Sequence, residues 1–241
     1  MAKVTSKNKV KKIINKKAKQ AVGKKTHVAI VLDRSGSMSS IHKQTVDGLN
    51  QQFEAFRKNA TAAGETDISL IQFDTVIETV FDGIKPENLK EFAMSDFQPR
   101  GGTAMYDGIW NAINHLKTKD ITDDTAYLIC VISDGEENAS TEIKQEVLAA
   151  EIKKLQDQGN WTFQYLLSNV DINVVRQTLN AQAGNIAYYN STSAGSTMAY
   201  AANATSTVNY MTMRGVTLGS SMSGSYTAYT PEVKARLVNT K

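Results

Sequence analysis

From residue 26 onward, strand-length apolar runs alternate with stretches whose apolar residues recur at helical spacing. "THVAIVLD" (26–33), "TAYLICVIS" (125–133) and "WTFQYLLS" (161–168) are nearly continuous apolar runs, the pattern of strands buried on both faces of a parallel sheet. "DISLIQFD" (67–74) and "VIETVFD" (76–82) lie too close together for a crossover helix, so they predict an antiparallel hairpin at a sheet edge. Between these runs, Ile41, Val46, Leu49, Phe53 and Phe56 predict a helix near 40–62 closed by Gly64. Ile109, Trp110, Ile113 and Leu116 predict a second over 104–117, and helices follow at 141–158, ended by Gly159, and near 171–182. A short strand, "IAYY" (186–189), continues the alternation. From 193 the residues turn small and polar, yet one more helix with Met198, Ala201, Val208 and Met211 inward fits the pattern. The whole predicts an α/β fold: a doubly wound, mostly parallel sheet with one antiparallel edge strand.

Composition divides the chain without changing that picture. At 241 residues and 41% hydrophobic, it is long enough for one well-buried domain, expected over 26–213. A lysine-rich arm (1–25) precedes it and a Gly/Ser/Thr-rich tail (214–241) follows. The arm holds ten of the chain's 27 Lys and Arg and no acid, leaving 17 against 24 Asp and Glu in the rest, a balance of −7. Val10, Ile13, Ile14, Ala18 and Ala21 give the arm a weak amphipathic helical pattern. A solubilising tail, a nucleic-acid or other polyanion contact, and a contact to an anionic protein or membrane surface all remain open for it. Without aromatics or arginines, any nucleic-acid contact would be phosphate-driven and non-specific. No stretch approaches a transmembrane span, and the N-terminus has no apolar core of a secretory signal. The single cysteine, Cys130, lies in an apolar run and rules out an intramolecular disulfide, so a reducing, cytoplasmic setting is expected.

The candidate chemistry lies where strands end. In an open parallel sheet the loops leaving the carboxyl ends of the strands converge, and the crevice where strand order reverses is the usual ligand site. "VLDRSGSMSS" (31–40) places Asp33, Ser35 and Ser37 there; "ISDGEEN" delivers Asp134, and the loop "QPRGGT" (98–103) brings Thr103. Two carboxylates and three hydroxyls, with no histidine or thiolate, suit Mg²⁺, Mn²⁺ or Ca²⁺ better than zinc. Taken alone, Ser35 or Ser37 could simply cap the following helix. A hydrolase would need a base; His42 is near in sequence, but the G-x-S-x-G elbow is absent, as are the glycine-rich nucleotide-binding motifs. A metal-assisted phosphatase is the best enzyme alternative.

These residues carry a resemblance. "DRSGSMSS" matches the D-x-S-x-S element of von Willebrand factor type A (vWA) domains, "GGTAMYDGI" resembles their threonine loop, and "ISDGEEN" their last element. The three occur in family order over about residues 26–190, and the chain is most similar to small stand-alone bacterial and phage members that contain "LDRSGSM". The resemblance implies a metal-ion-dependent adhesion site. Ser35, Ser37 and in some states Thr103 would ligate directly, Asp33 and Asp134 often through water, and an acidic residue of a protein partner would complete the shell. It implies an interaction module, not an enzyme, working in the cytoplasm or, for a phage protein, in the virion or host cytoplasm. The alternative is a nucleic-acid-associated or assembly protein acting through the arm, with the domain as scaffold. Four neighbours bear on the site. Glu136 and Glu137 would repel an acidic ligand if turned inward, with Arg34 and Arg100 as offsets; Asp107 is expected to be structural, and Asn138 to serve a turn or helix start.

Overall fold

The computed structural model describes residues 25–62, 64–119, 124–190 and 192–216. The lysine-rich arm up to residue 24 and the tail from 217 lie outside the described residues. Six strands, β1 (Lys25–Asp33), β2 (Glu65–Phe73), β3 (Ile77–Ile84), β4 (Thr125–Ser133), β5 (Trp161–Leu167) and β6 (Ile186–Tyr188), form one sheet. Its order is β3-β2-β1-β4-β5-β6. All neighbours are parallel except β2 and β3, which pair antiparallel. The mixed, mostly parallel sheet read from the apolar runs is therefore the observed one.

Among the described residues, five α-helices cover the sheet: α1 (His42–Asn59), α2 (Met105–Lys117), α3 (Gln145–Asp157), α4 (Ile172–Thr178) and α5 (Ser193–Val216). Successive residues of β1 point to opposite faces, as the strand repeat requires. Val28, Ile30 and Leu32 join Leu49, Phe53 and Phe56 of α1 and Ala199, Tyr200 and Tyr210 of α5 in one core. Ala29 and Val31 join Ile109 and Ile113 of α2, Leu148 and Ile152 of α3, and Val175 of α4 in the other. Strand order reverses between β1 and β4, so the carboxyl ends of those two strands flank the crevice. Among the described residues no helix is long and apolar enough to cross a membrane.

Four elements depart from the pattern. The helix expected near 171–182 stops at Thr178, with Asn180 at φ 50° two residues on. The expected helix near 40–62 enters through a 3₁₀ turn, Gly36–Ile41, before α1 begins. The helix expected from 141 starts at Gln145, because the Asp107 carboxylate accepts the backbone N–H groups of Thr141, Glu142 and Ile143 and holds them in the loop. The face of α5 is the largest difference. Met211 is buried as expected, but Ala201 is exposed and Met198 and Val208 only half-buried, while Ser196, Asn203, Ser206 and Thr207 are buried. The surface beneath the helix is polar: Gln164 Nε2 donates to Ser206 Oγ at 2.7 Å, and Asn203 Nδ2 donates to Gln52 Oε1 at 3.3 Å. A hydrophobicity pattern cannot assign a face that docks through hydrogen bonds.

Candidate metal centre

Asp33, the last residue of β1, is buried and doubly anchored. One carboxylate oxygen accepts the Ser35 backbone N–H at 2.7 Å, and the other accepts the Ser133 hydroxyl at the end of β4. Ser35 stands at the N-cap position of the 3₁₀ turn, but its side chain makes no capping bond. Its Oγ instead shares a hydrogen bond with Ser37 Oγ at 3.0 Å, and Ser37 Oγ donates to Asp134 Oδ1 at 2.6 Å. Thr103 closes the group. A Cβ built on Gly135 would lie 3.4 Å from Thr103 Oγ1 and 3.6 Å from Ser37 Oγ, so both hydroxyls border the space that glycine leaves clear. All five residues singled out in the sequence thus gather at the β1/β4 switch point, with Ser37 and Gly36 exposed and the rest of the set buried.

The threonine loop is held against the serine turn by backbone contacts. Gly36 N–H donates to the Gly101 carbonyl at 3.1 Å, and Arg100 N–H to the Arg34 carbonyl at 2.8 Å. Gly101 adopts φ 65°, a conformation that favours glycine. Asn138 does more than turn the chain. Its Oδ1 accepts the Thr103 N–H at 2.9 Å and its own N–H donates to the Thr103 carbonyl at 3.0 Å, so it clamps the backbone of a candidate ligand.

The neighbouring charges are disposed differently from the simplest reading of their spacing. Glu137 accepts from the backbone of Tyr106, Ala139 and Ser140 and from the Ser140 hydroxyl, which occupies both its oxygens in tying the start of α2 to the loop after β4. Glu136 is exposed and lines a separate cavity beside the site. Arg34 and Arg100 both bond the buried Asp74 carboxylate, and Arg34 also reaches Gln72 and Glu78, so neither guanidinium is held toward the oxygen cluster. Asp107 has the structural role expected of it. Two contributors had no role assigned from the sequence: Ser133, which lies within "ISDGEEN" and whose hydroxyl fixes Asp33, and Asn169, whose amide donates to the Asp134 carbonyl at 3.2 Å from a backbone at φ 53°. The polar residue ending an otherwise apolar run was the available signal for Ser133; Asn169 had none.

The electrostatics favour a cation. Burial pushes the Asp33 carboxyl up to about 6, against hydrogen bonds from Ser133 and Ser35 that pull it down and with the Asp134 charge adding to the rise. Burial also raises Asp134, opposed by its bond from Ser37. Two carboxylates that resist ionising side by side gain most from a positive ion between them. Among the described residues no three His, Cys, Asp or Glu side chains are grouped to hold a metal, so a soft-ligand site is not what this donor set resembles. Two carboxylates, three hydroxyls and a glycine that keeps their common space open do fit a small hard cation.

Residues 28–137, from β1 through the loop after β4, match the family model described as von Willebrand factor type A domain. No curated protein is significantly similar in sequence. Among solved structures, "von Willebrand factor type A from Catenulispora acidiphila" superposes with TM-score 0.55 at 14% identity, covering 80% of this chain and 43% of that one. The pilus adhesin SpaC from Lactobacillus rhamnosus GG gives TM-score 0.59 at 17% identity over 79% of this chain and 30% of its own. The SpRpn10 VWA domain gives 0.54 at 14% over 72% of this chain and 93% of its own. The chain therefore spans less than half the length of the first two of these proteins and about a whole domain of the third. The fold is that of vWA domains.

Proposed function

We propose that this protein is a non-catalytic interaction module that holds one divalent cation, Mg²⁺ or in its place Mn²⁺ or Ca²⁺, on Asp33, Ser35, Ser37, Thr103 and Asp134, and takes an Asp or Glu side chain of a protein partner there. The observation that carries the reading is the hydrogen-bonded run Ser35–Ser37–Asp134, laid beside the buried Asp33 and open to solvent at Ser37. When bound, the ion supplies positive charge that offsets the two carboxylates and leaves an electrophilic face for a further anionic oxygen. The chain's own residues set the geometry: Ser133 and the Ser35 N–H orient Asp33, Asn169 holds the Asp134 backbone, and Asn138 holds Thr103. Glu137, turned away into its own loop, does not oppose an acidic ligand.

The His42 imidazole, the nearest base in sequence to the serines, lies with Nε2 against the Met94 carbonyl at 3.3 Å and its ring against Phe97. The shared fold with a protein described as a pilus adhesin is consistent with adhesion-type binding. Burial pushes the Cys130 thiol up to about 11, so it stays protonated and inert and serves packing.

Calorimetric titration with MgCl₂ and MnCl₂ tests the site. Wild type should show one binding event, weakened at least about tenfold by Ser37→Ala or Asp134→Ala, in the range that loss of a metal contact brings. Asp107→Ala should weaken it less. Wild type and an Asp33→Ala, Ser35→Ala double variant that titrate alike would remove the basis of the assignment.

A further inference from the structure

Beside the oxygen cluster, on the α2/α4 side of the same sheet edge, lies a cavity of about 190 Å³. It is continuous in sequence with the site on three sides. Glu136 follows Asp134 by two residues, Met105 follows Thr103 by two, and Val170 follows Asn169, whose amide holds the Asp134 carbonyl. Its walls include Val170, Val175 and Leu179, all buried, with Val174 exposed at the rim, and Tyr106 and both Glu136 and Glu137 also line it. None of its lining residues is a lysine or arginine. Burial raises the Tyr106 phenol, its hydrogen bond with Thr178 opposes the rise, and the nearby charges of Glu137 and Glu146 add to it. Glu137 spends its carboxylate on four local donors, whereas Glu136 is exposed and accepts no hydrogen bond from the described residues.

An aliphatic floor, an aromatic wall and an exposed carboxylate at the mouth form a lining complementary to a long side chain with an apolar stem and a cationic head. We infer that this cavity is a second subsite of the binding surface, which takes a lysine or arginine of the same partner segment whose Asp or Glu meets the cation, so that the module recognises an acidic and a basic residue a few positions apart. The stem packs on Val170, Val175 and Leu179, and the head meets Glu136 and the face of Tyr106. This deepens the function proposed above and rests on it. It also gives Glu136 a role: a carboxylate this close to an acid-binding site discriminates against partners that carry acid runs and selects those that alternate charge.

The test uses the full chain and an array of short synthetic peptides with one fixed Asp, a second position varied over Lys, Arg, Gln, norleucine and Glu at several spacings, and neutral residues elsewhere. Binding is read in Mg²⁺ and in chelator. Wild type should retain the Asp peptides only in Mg²⁺ and should prefer Lys or Arg over Gln by about fivefold at one spacing, the combined size of a solvent-facing ion pair and a cation–π contact. Glu136→Lys, an exposed and hence tolerated change, should invert that preference toward Glu. Mg²⁺-dependent retention with no basic preference, with norleucine equal to Lys, or with a preference untouched by Glu136→Lys overturns the second subsite and leaves the metal reading standing. Retention indifferent to Mg²⁺ for every peptide overturns the metal reading, and this inference with it.

Discussion

At the scale of single residues, Asp33 concentrates the energetics of the site. Its carboxyl titrates near 6 in the folded chain against 3.8 for an unperturbed aspartate. The folded state therefore binds this proton more tightly than the unfolded one, so the stability this one group contributes is fully present below about 3.8 and is lost as pH rises from there through about 6. For this buried group the decline amounts to about 3 kcal/mol. Thermal unfolding in chelator should accordingly show a lower Tm at pH 7 than at pH 5 from this group. Asp33→Asn should flatten that segment of the profile, and saturating Mg²⁺ should offset it by stabilising the ionised form. A profile in chelator that is identical for wild type and Asp33→Asn would show that the carboxyl titrates normally. Gly135 acts at the same scale by omission: the missing side chain is what leaves the space between Thr103 and Ser37 clear.

At the scale of elements, acidic side chains do the work of connecting loops. Asp107 takes three backbone N–H groups and Glu137 takes three, together joining the start of α2 to the segment between β4 and α3 that carries Asn138. This fastening sets Thr103 relative to Asp134. The α1/α5 contact is built otherwise, on close approach. A Cβ at Gly48 would fall well inside contact with Cβ and Cγ of the buried Tyr200. Helix propensity favours alanine over glycine by about 1 kcal/mol, but overpacking a filled interface costs about 1–3 kcal/mol and the obstacle is a fully buried tyrosine. Gly48→Ala should thus lower the denaturation midpoint, and adding Tyr200→Ala should remove the clash, making the pair less than additive. If Gly48→Ala is neutral or stabilising in urea melts, α5 does not sit this close to α1.

At the scale of the whole molecule, charge separates two behaviours. Residues 1–24 carry nine lysines and no acid. Their field decays over a Debye length of about 8 Å at physiological salt, so the metal centre at the sheet edge and the arm should act independently. Removing residues 1–24 leaves β1 whole. The truncated chain should keep its Mg²⁺ titration but lose salt-sensitive retention on heparin, while Ser35→Ala should do the reverse. Equal heparin retention by the truncated and full chains would place polyanion binding on the folded body instead.

The sequence by itself determined the sheet and marked the residues that meet at its switch point. Runs that are apolar throughout, such as 127–132, are the pattern of interior parallel strands, and the short gap between Phe73 and Ile77 leaves no room for a crossover. Asp33, Ser35, Ser37, Thr103 and Asp134 were likewise legible, because each ends a strand or opens a helix at one sheet edge. Tertiary structure alone decided which way the side chains around them turn. Glu136 and Glu137 are adjacent and alike, yet one is spent inside its loop and the other faces solvent at a cavity's mouth. Arg34 lies beside the site in sequence and points to Asp74. The inward face of α5 was undecidable for the same reason: its partners Gln52, Gln164 and Thr45 come from distant positions, and hydrogen bonds between such residues leave no periodicity in the chain. Apolar burial is additive and local enough to be read as pattern, whereas the direction of a polar side chain is set by whichever donor the fold brings within about 3 Å of it.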